Sequence, residues 1–298
     1  VYIQTNSTGK RPRRWLWAGV PAAVVVLFFG LNSLLQTFWA HRDPYFSPDY
    51  GQIDLSPILA QDSLDGEDYE TIFFQTGLAR PAVDALLSQG SQGAAQILET
   101  QAGFFSEQTP VCLDLPPITK EDRLRDADGN VVYSVPLAPL ESGDIILSFS
   151  THTYGWRHGH ASLVVDPQLG VTLEAVVLGS DSAQVNAQHW RTYSNFMVLR
   201  VKDADDETRQ QVVQFALEHL DGIPYSLLSG IFGPKAPDPD TPLKAQCAYL
   251  PWYAWQAYGV DLDSDGGKIV TVLDLAESPL LEVVQIYGID PSSLPYNI

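Results

Sequence analysis

The sequence predicts an α+β protein: one N-terminal transmembrane helix, then a small helical region, then a domain built on an antiparallel sheet. Three features predict this. Residues 15–40 read WLWAGVPAAVVVLFFGLNSLLQTFWA and hold no charged residue. Residues 68–105 carry apolar positions at helical spacing. From Gly143 the texture changes to short β-branched runs bounded by Gly, Pro and Asp. With 298 residues, 45% of them hydrophobic, the chain has material for one large domain or two small ones.

The first element is a basic tail, residues 1–14, with Lys10, Arg11, Arg13 and Arg14. At ~1.5 Å per residue the following segment is long enough to cross a ~30 Å hydrocarbon core. Trp15 and Trp17 at one end and Trp39 at the other suit the two interfaces. The basic cluster precedes the span, so the N-terminus is expected in the cytoplasm and the body outside it, as in a single-pass protein of the cell membrane. A cleaved signal peptide is the competing reading. Its apolar region would be unusually long, and Phe38, two before Ala40, spoils a small-x-small cleavage site.

Residues 41–139 read as a stalk and a mostly helical extension. DYETIFFQTGL, PAVDALLSQG and SQGAAQILETQAGFF suggest three helices, with Pro81 in a first turn, where its missing N–H costs nothing. Residues 106–125, with Pro110, Pro116 and Pro117, read as loop. ADGN at 127–130 reads as a tight turn.

Residues 140–298 form the second region. DIILSF (144–149), ASLVV (161–165), TLEAVVL (172–178) and FMVLRV (196–201) read as strands. DADDETRQQVVQFALEHLDG (203–222) reads as a helix with acids in its first turn and Gly222 and Pro224 at its end. After a Pro-rich loop at 233–242, CAYLPWYAWQAYG reads as a short helix. Pro251 fits only its first turn, which puts Cys247 near the helix N-terminus.

Charge excludes one class of partner. Formal net charge is −19, and all 36 acidic residues lie beyond residue 40. Nucleic acid, which needs Lys and Arg to replace counterions, is therefore not an expected partner. Cys112 and Cys247 are the only cysteines. They do not make a disulfide framework, although one bond between them stays open.

The candidate chemistry centres on Cys247. A cysteine at a helix N-terminus lies at the positive end of the dipole, near backbone N–H groups that favour thiolate and can hold an oxyanion. The plain alternative is a small buried hydrophobe. His160, at the mouth of a β-run, is a candidate base. Glu174 sits in an otherwise apolar strand, where a carboxylate is expensive unless paired. If its strand runs antiparallel to 161–165, it can reach and orient His160. Otherwise it faces water on an edge strand. In GWRHGH (155–160), His158 is a second site candidate and Arg157 a candidate for a substrate carboxylate, against an ordinary loop arginine. His152, His158 and His160 lack the spacing of a zinc set. DLDSDGG (261–267) imitates a calcium loop, but Val272 stands where a closing Glu is needed. No metal or cofactor is expected. His189 and His219 read as structural.

The ordered motifs GDIIL, HGHASLVV, LEAVV, Gly-Ile-Pro-Tyr at 222–225 and QCAYLPWYAWQAYGVDLDSDGG resemble the circularly permuted papain-like amidases of the YaeF/YiiX type. These are relatives of the NlpC-like cell-wall hydrolases and of lecithin retinol acyltransferase. The resemblance covers about residues 140–280. It implies a permuted papain-like fold, with the histidine and carboxylate strands ahead of the cysteine helix. It implies Cys247 as nucleophile, His160 as base, Glu174 as third member and Tyr225 as an aromatic lining the site. Ala248 and Tyr249 depart from the Ser-Glu pair frequent in the family. The implied reaction is amide hydrolysis through a thioester, on a peptide or lipid amide, peptidoglycan stem peptides being the natural guess for an extracytoplasmic domain. An acyltransferase or lipid amidase, and a non-catalytic wall-binding module, stay open beside it.

Overall fold

The computed structural model describes residues 21–31, 34, 45–115, 119–126, 128–153, 156–241 and 243–294. Residues 21–31 and 34 are helical and exposed. The remainder of the predicted span at 15–40, and the basic tail, lie outside the described residues. Among the described residues no helix is long and apolar enough to cross a membrane.

After residues 21–31 and 34, four helices follow: α1 (Ser56–Leu59), α2 (Gly66–Thr76), α3 (Arg80–Leu87) and α4 (Ser91–Phe104). Asp65 and Asp68 form a capping box at the start of α2, and Gly77 ends it in the left-handed conformation. Pro81 occupies the first turn of α3, as its missing N–H requires.

The segment expected as loop is instead a hairpin, β1 (Thr109–Leu115) with β2 (Thr119–Arg125), in antiparallel register from Thr109↔Arg125 to Leu115↔Thr119. The prolines misled: Pro110 lies on β1, at the edge of its sheet, where a strand tolerates a missing donor. After β3 (Ile145–Ser148), β4 (Thr151–Thr153) pairs antiparallel with β2 and completes a three-stranded sheet, β1-β2-β4.

The main sheet adds β5 (His160–Asp166), β6 (Val171–Glu174), β7 (Ala183–Asn186), β8 (Phe196–Val201) and β9 (Leu281–Tyr287). Its order is β7-β6-β5-β3-β8-β9, and every neighbouring pair is antiparallel. β6 stops at Glu174, short of the expected run to 178, and Val176, Val177 and Leu178 are exposed.

Alternation along the strands gives the sheet two apolar faces. Ile145, Leu147, Ala161, Leu163, Leu173 and Leu199 pack against α5 (Asp206–His219) and α6 (Tyr249–Gln256). Ile146, Val164, Val198 and Val284 face the other way, onto Leu78, Val83 and Leu86 with Ile97 and Phe104. The α+β class and antiparallel sheet predicted from sequence are therefore present. A last short helix, α7 (Val272–Ala276), is capped by Thr271 and lies against β3.

Candidate active site

β5 and β6 set the first pair of residues. Their register places Ser162 opposite Glu174, so His160 is the diagonal neighbour on the same face. The imidazole Nε2–H donates to Glu174 Oε2 at 2.8 Å. Trp190 stacks on the His160 ring, with centroids 5.1 Å apart and planes 7° from parallel, which fixes the ring's orientation.

Glu174 is 2% exposed, yet its carboxylate is fully supplied with donors. Beside His160 it accepts from His189 Nε2 at 2.8 Å, from Trp190 Nε1 at 3.1 Å and from Thr172 Oγ1 at 2.6 Å. Burial works against its charge, but the bonds from His160 and His189 outweigh burial and hold the carboxyl far below its ordinary range.

The thiol belongs to the apolar cluster on the face of the sheet that α6 covers. Residues 180–182 bridge to 222–225, and Tyr225 bridges to Ala245 in parallel. Cys247 follows two residues later, immediately before Ala248, the N-cap of α6. Gln246 organises this start: its Oε1 accepts from Ala248 N at 2.8 Å and lies 3.5 Å from Cys247 Sγ, while its Nε2 donates to the Val270 carbonyl. Leu250 N reaches Gln246 O at 3.3 Å, so the turn holding Cys247 is already helical in its bonding.

Cys247 is near enough to the His160 ring to act on its charge. Since Nε2 is committed to Glu174, Nδ1 is the nitrogen left for the thiol. Burial disfavours a charged His160, but Cys247 and Glu174 outweigh it and raise its pKa to about 10. Tyr225 bridges to Ala245, two residues before Cys247, and burial, then the charge of Cys247, pushes its phenol upward.

His160 and Glu174 are thus in direct contact, and Cys247 acts on the charge of both His160 and Tyr225. Arg157 and His158 have other partners. Arg157 Nη1 donates to Asp122 Oδ2 at 2.8 Å and to the Phe149 carbonyl at 3.0 Å. His158 Nδ1 donates to the Gly159 carbonyl at 3.0 Å and its Nε2 accepts from Thr153 Oγ1 at 3.0 Å; burial pushes its pKa down. No disulfide joins Cys112 and Cys247. Sequence reasoning missed Thr172, His189, Trp190 and Gln246. One signal was available for the first three: a carboxylate in an apolar strand needs more donors than one imidazole supplies.

No protein-family model and no curated protein matches the chain. Among solved structures it is similar to the crystal structure of metalloprotein yiiX from Escherichia coli O157:H7, DUF1105. Identity is 16% and the TM-score 0.38, over 49% of this chain and 97% of that one, too slight a likeness to bear on activity.

Proposed function

We propose that the chain is a cysteine hydrolase that cleaves an amide through a thioester. The observation that carries the reading is the His160–Glu174 pair, in which a buried, fully hydrogen-bonded carboxylate holds one imidazole whose charge the nearby Cys247 also favours. His160, its pKa raised, already holds the proton given up by the thiol when Sγ attacks the carbonyl carbon. The tetrahedral oxyanion collapses, the C–N bond breaks, and His160 returns the proton to the leaving amine. Water, activated by the same imidazole, then cleaves the thioester and frees the carboxylic acid. Glu174 keeps the ring in the required tautomer and stabilises the imidazolium. Backbone N–H groups at the start of α6 are the candidate oxyanion donors.

On substrate, the resemblance favours peptide amides of the cell wall, reached by a domain anchored outside the cytoplasm through residues 15–40. One observation favours the second reading, a lipid amide or acyl transfer. Val176, Val177 and Leu178 and, on the same side of the antiparallel Asp181↔Pro224 bridge, Leu227 and Leu228 are exposed. An apolar rim of that kind suits an acyl chain better than a stem peptide.

The test is iodoacetamide alkylation of Cys247 between pH 5 and 9, read by mass spectrometry of its peptide. Near pH 6.5 the wild-type rate should exceed that of His160→Ala by roughly tenfold or more, because the thiolate is the reactive form. Protection by a muropeptide supports the wall substrate, and protection by a long-chain N-acyl amide supports the lipid one. Equal rates in wild type and His160→Ala would remove the nucleophile–base pair and leave a non-catalytic binding module.

A further inference from the structure

A second group of reactive side chains lies on the small sheet, away from the Cys247 centre. The register sets Cys112 of β1 directly opposite Asp122 of β2. On the other side of β2, His152 of β4 pairs with Lys120, which makes it the diagonal neighbour of Asp122. All three side chains therefore project from one face. Cys112 Sγ is 3.7 Å from His152 Nε2, Asp122 Oδ1 is 3.6 Å from the same nitrogen, and the three donor atoms lie within 4.8 Å of one another.

These distances discriminate between uses. At 3.6 Å the imidazole and carboxylate are too far apart for a hydrogen bond. Thiol and carboxylate also approach the same nitrogen, so the imidazole does not bridge them as a base bridges nucleophile and acid. A tetrahedral zinc-type ion, with bonds of ~2.3 Å to sulfur and ~2.0–2.1 Å to nitrogen and oxygen, sets its ligands roughly 3.3–3.6 Å apart. The two distances from His152 Nε2, 3.7 and 3.6 Å, lie close to that range.

Support around the cluster points the same way. Asp122 is 4% and His152 1% exposed. Arg157 Nη1 holds Asp122 Oδ2 at 2.8 Å, which turns Oδ1 toward the cluster, the outer support that metal-bound carboxylates have. Cys112 is exposed, so an ion enters from solvent and keeps a coordination position for water.

We propose that Cys112 Sγ, Asp122 Oδ1 and His152 Nε2 bind one divalent transition-metal ion, with zinc the best fit to a thiolate, imidazole and carboxylate set. Binding displaces the Cys112 thiol proton to solvent. The ion joins β1, β2 and β4 and, through Asp122, fixes the Arg157 end of the loop that leads to His160. The site is independent of the reaction at Cys247.

Cobalt(II) titration of the purified, chelator-stripped full chain tests this. One equivalent should give a thiolate-to-cobalt charge-transfer band in the near ultraviolet with tetrahedral visible bands, and Zn²⁺ should abolish both. Cys112→Ser should remove the charge-transfer band, and Asp122→Asn should weaken binding by roughly tenfold or more, as loss of even an outer partner does. Cys247→Ser should change neither. Cys112 is exposed on an edge strand, so the serine variant retains the fold, checked by circular dichroism. Absence of stoichiometric cobalt binding, a band that survives Cys112→Ser, or a band lost in Cys247→Ser would each overturn the site.

Discussion

Glu174 is the residue on which the proposed centre depends. Two histidines, one indole and one hydroxyl donate to its carboxylate. Glu174→Gln keeps the shape, but its amide N–H₂ replaces an acceptor with a donor among donors, and the charge opposite His160 is lost. Breaking a buried pair in this way costs about 3–5 kcal/mol. The pH dependence follows from the two shifts. His160 is raised to about 10 in the folded chain from an ordinary 6.5, so its contribution is complete below pH 6.5 and fades as pH rises toward 10. Glu174 is lowered from an ordinary 4.5, so its contribution is complete above that value and fades as pH falls through the folded pKa. Urea denaturation across pH should give maximal stability for this pair between about pH 4.5 and 6.5. In Glu174→Gln the acid-side dependence should flatten. An unchanged acid limb in the variant would mean that Glu174 does not carry the linkage.

At the scale of elements, the approach to β5 is the tightest point near the site. Gly159 has φ +71°, and a Cβ there would meet the Ser148 carbonyl oxygen at 2.5 Å and Val272 side-chain atoms from 3.0 Å. Both the left-handed backbone and the β3 carbonyl therefore exclude a side chain. Gly159→Ala should lower stability by roughly 1–3 kcal/mol and slow Cys247 alkylation, since the strain falls one residue before the base. Thermal denaturation beside the labelling rate checks it; an alanine variant with wild-type melting temperature and labelling would show that this backbone yields easily. The same region explains what was legible in the sequence. β5 and α6 announce themselves, one by a β-branched run, the other by an aromatic run after Cys247. Their antiparallel partner β6 did so through a glutamate out of keeping with its neighbours. The β1–β2 hairpin did not, because TPVCLDL and TKEDRLR carry a proline and charges that suit an edge sheet as readily as a loop. His189 and Trp190 lie in a short 3₁₀ turn, Ala187–Thr192, with no periodic pattern, and only the folding of that turn over β6 brings them to Glu174. The Cys112 cluster was hidden for the same reason: its residues meet only through strand register.

At the scale of the whole molecule, the sheet is apolar on both faces, and that decides how much of the chain is needed to fold it. α5 and α6 cover one face, and the helices at 66–104 cover the other. Cutting the chain at residue 140 would keep Cys247, His160 and Glu174. It would also strip Leu78, Val83, Leu86, Ile97 and Phe104 from Ile146, Val164, Phe196, Val198 and Val284. At about 1.5–3 kcal/mol per buried side chain, exposing those five sheet residues alone costs roughly 7–15 kcal/mol. A domain of this kind has only about 5–15 kcal/mol of net stability. The expected outcome is that residues 45–298 unfold in one cooperative transition by both tryptophan fluorescence and circular dichroism, whereas residues 140–298 bind a hydrophobic dye and show no cooperative transition. A 140–298 fragment that folds cooperatively and alkylates at Cys247 like the longer chain would make the helical region an appendage. With the outcome expected here, that region is instead the second wall of the core on which β5 and β6 hold the imidazole and the carboxylate.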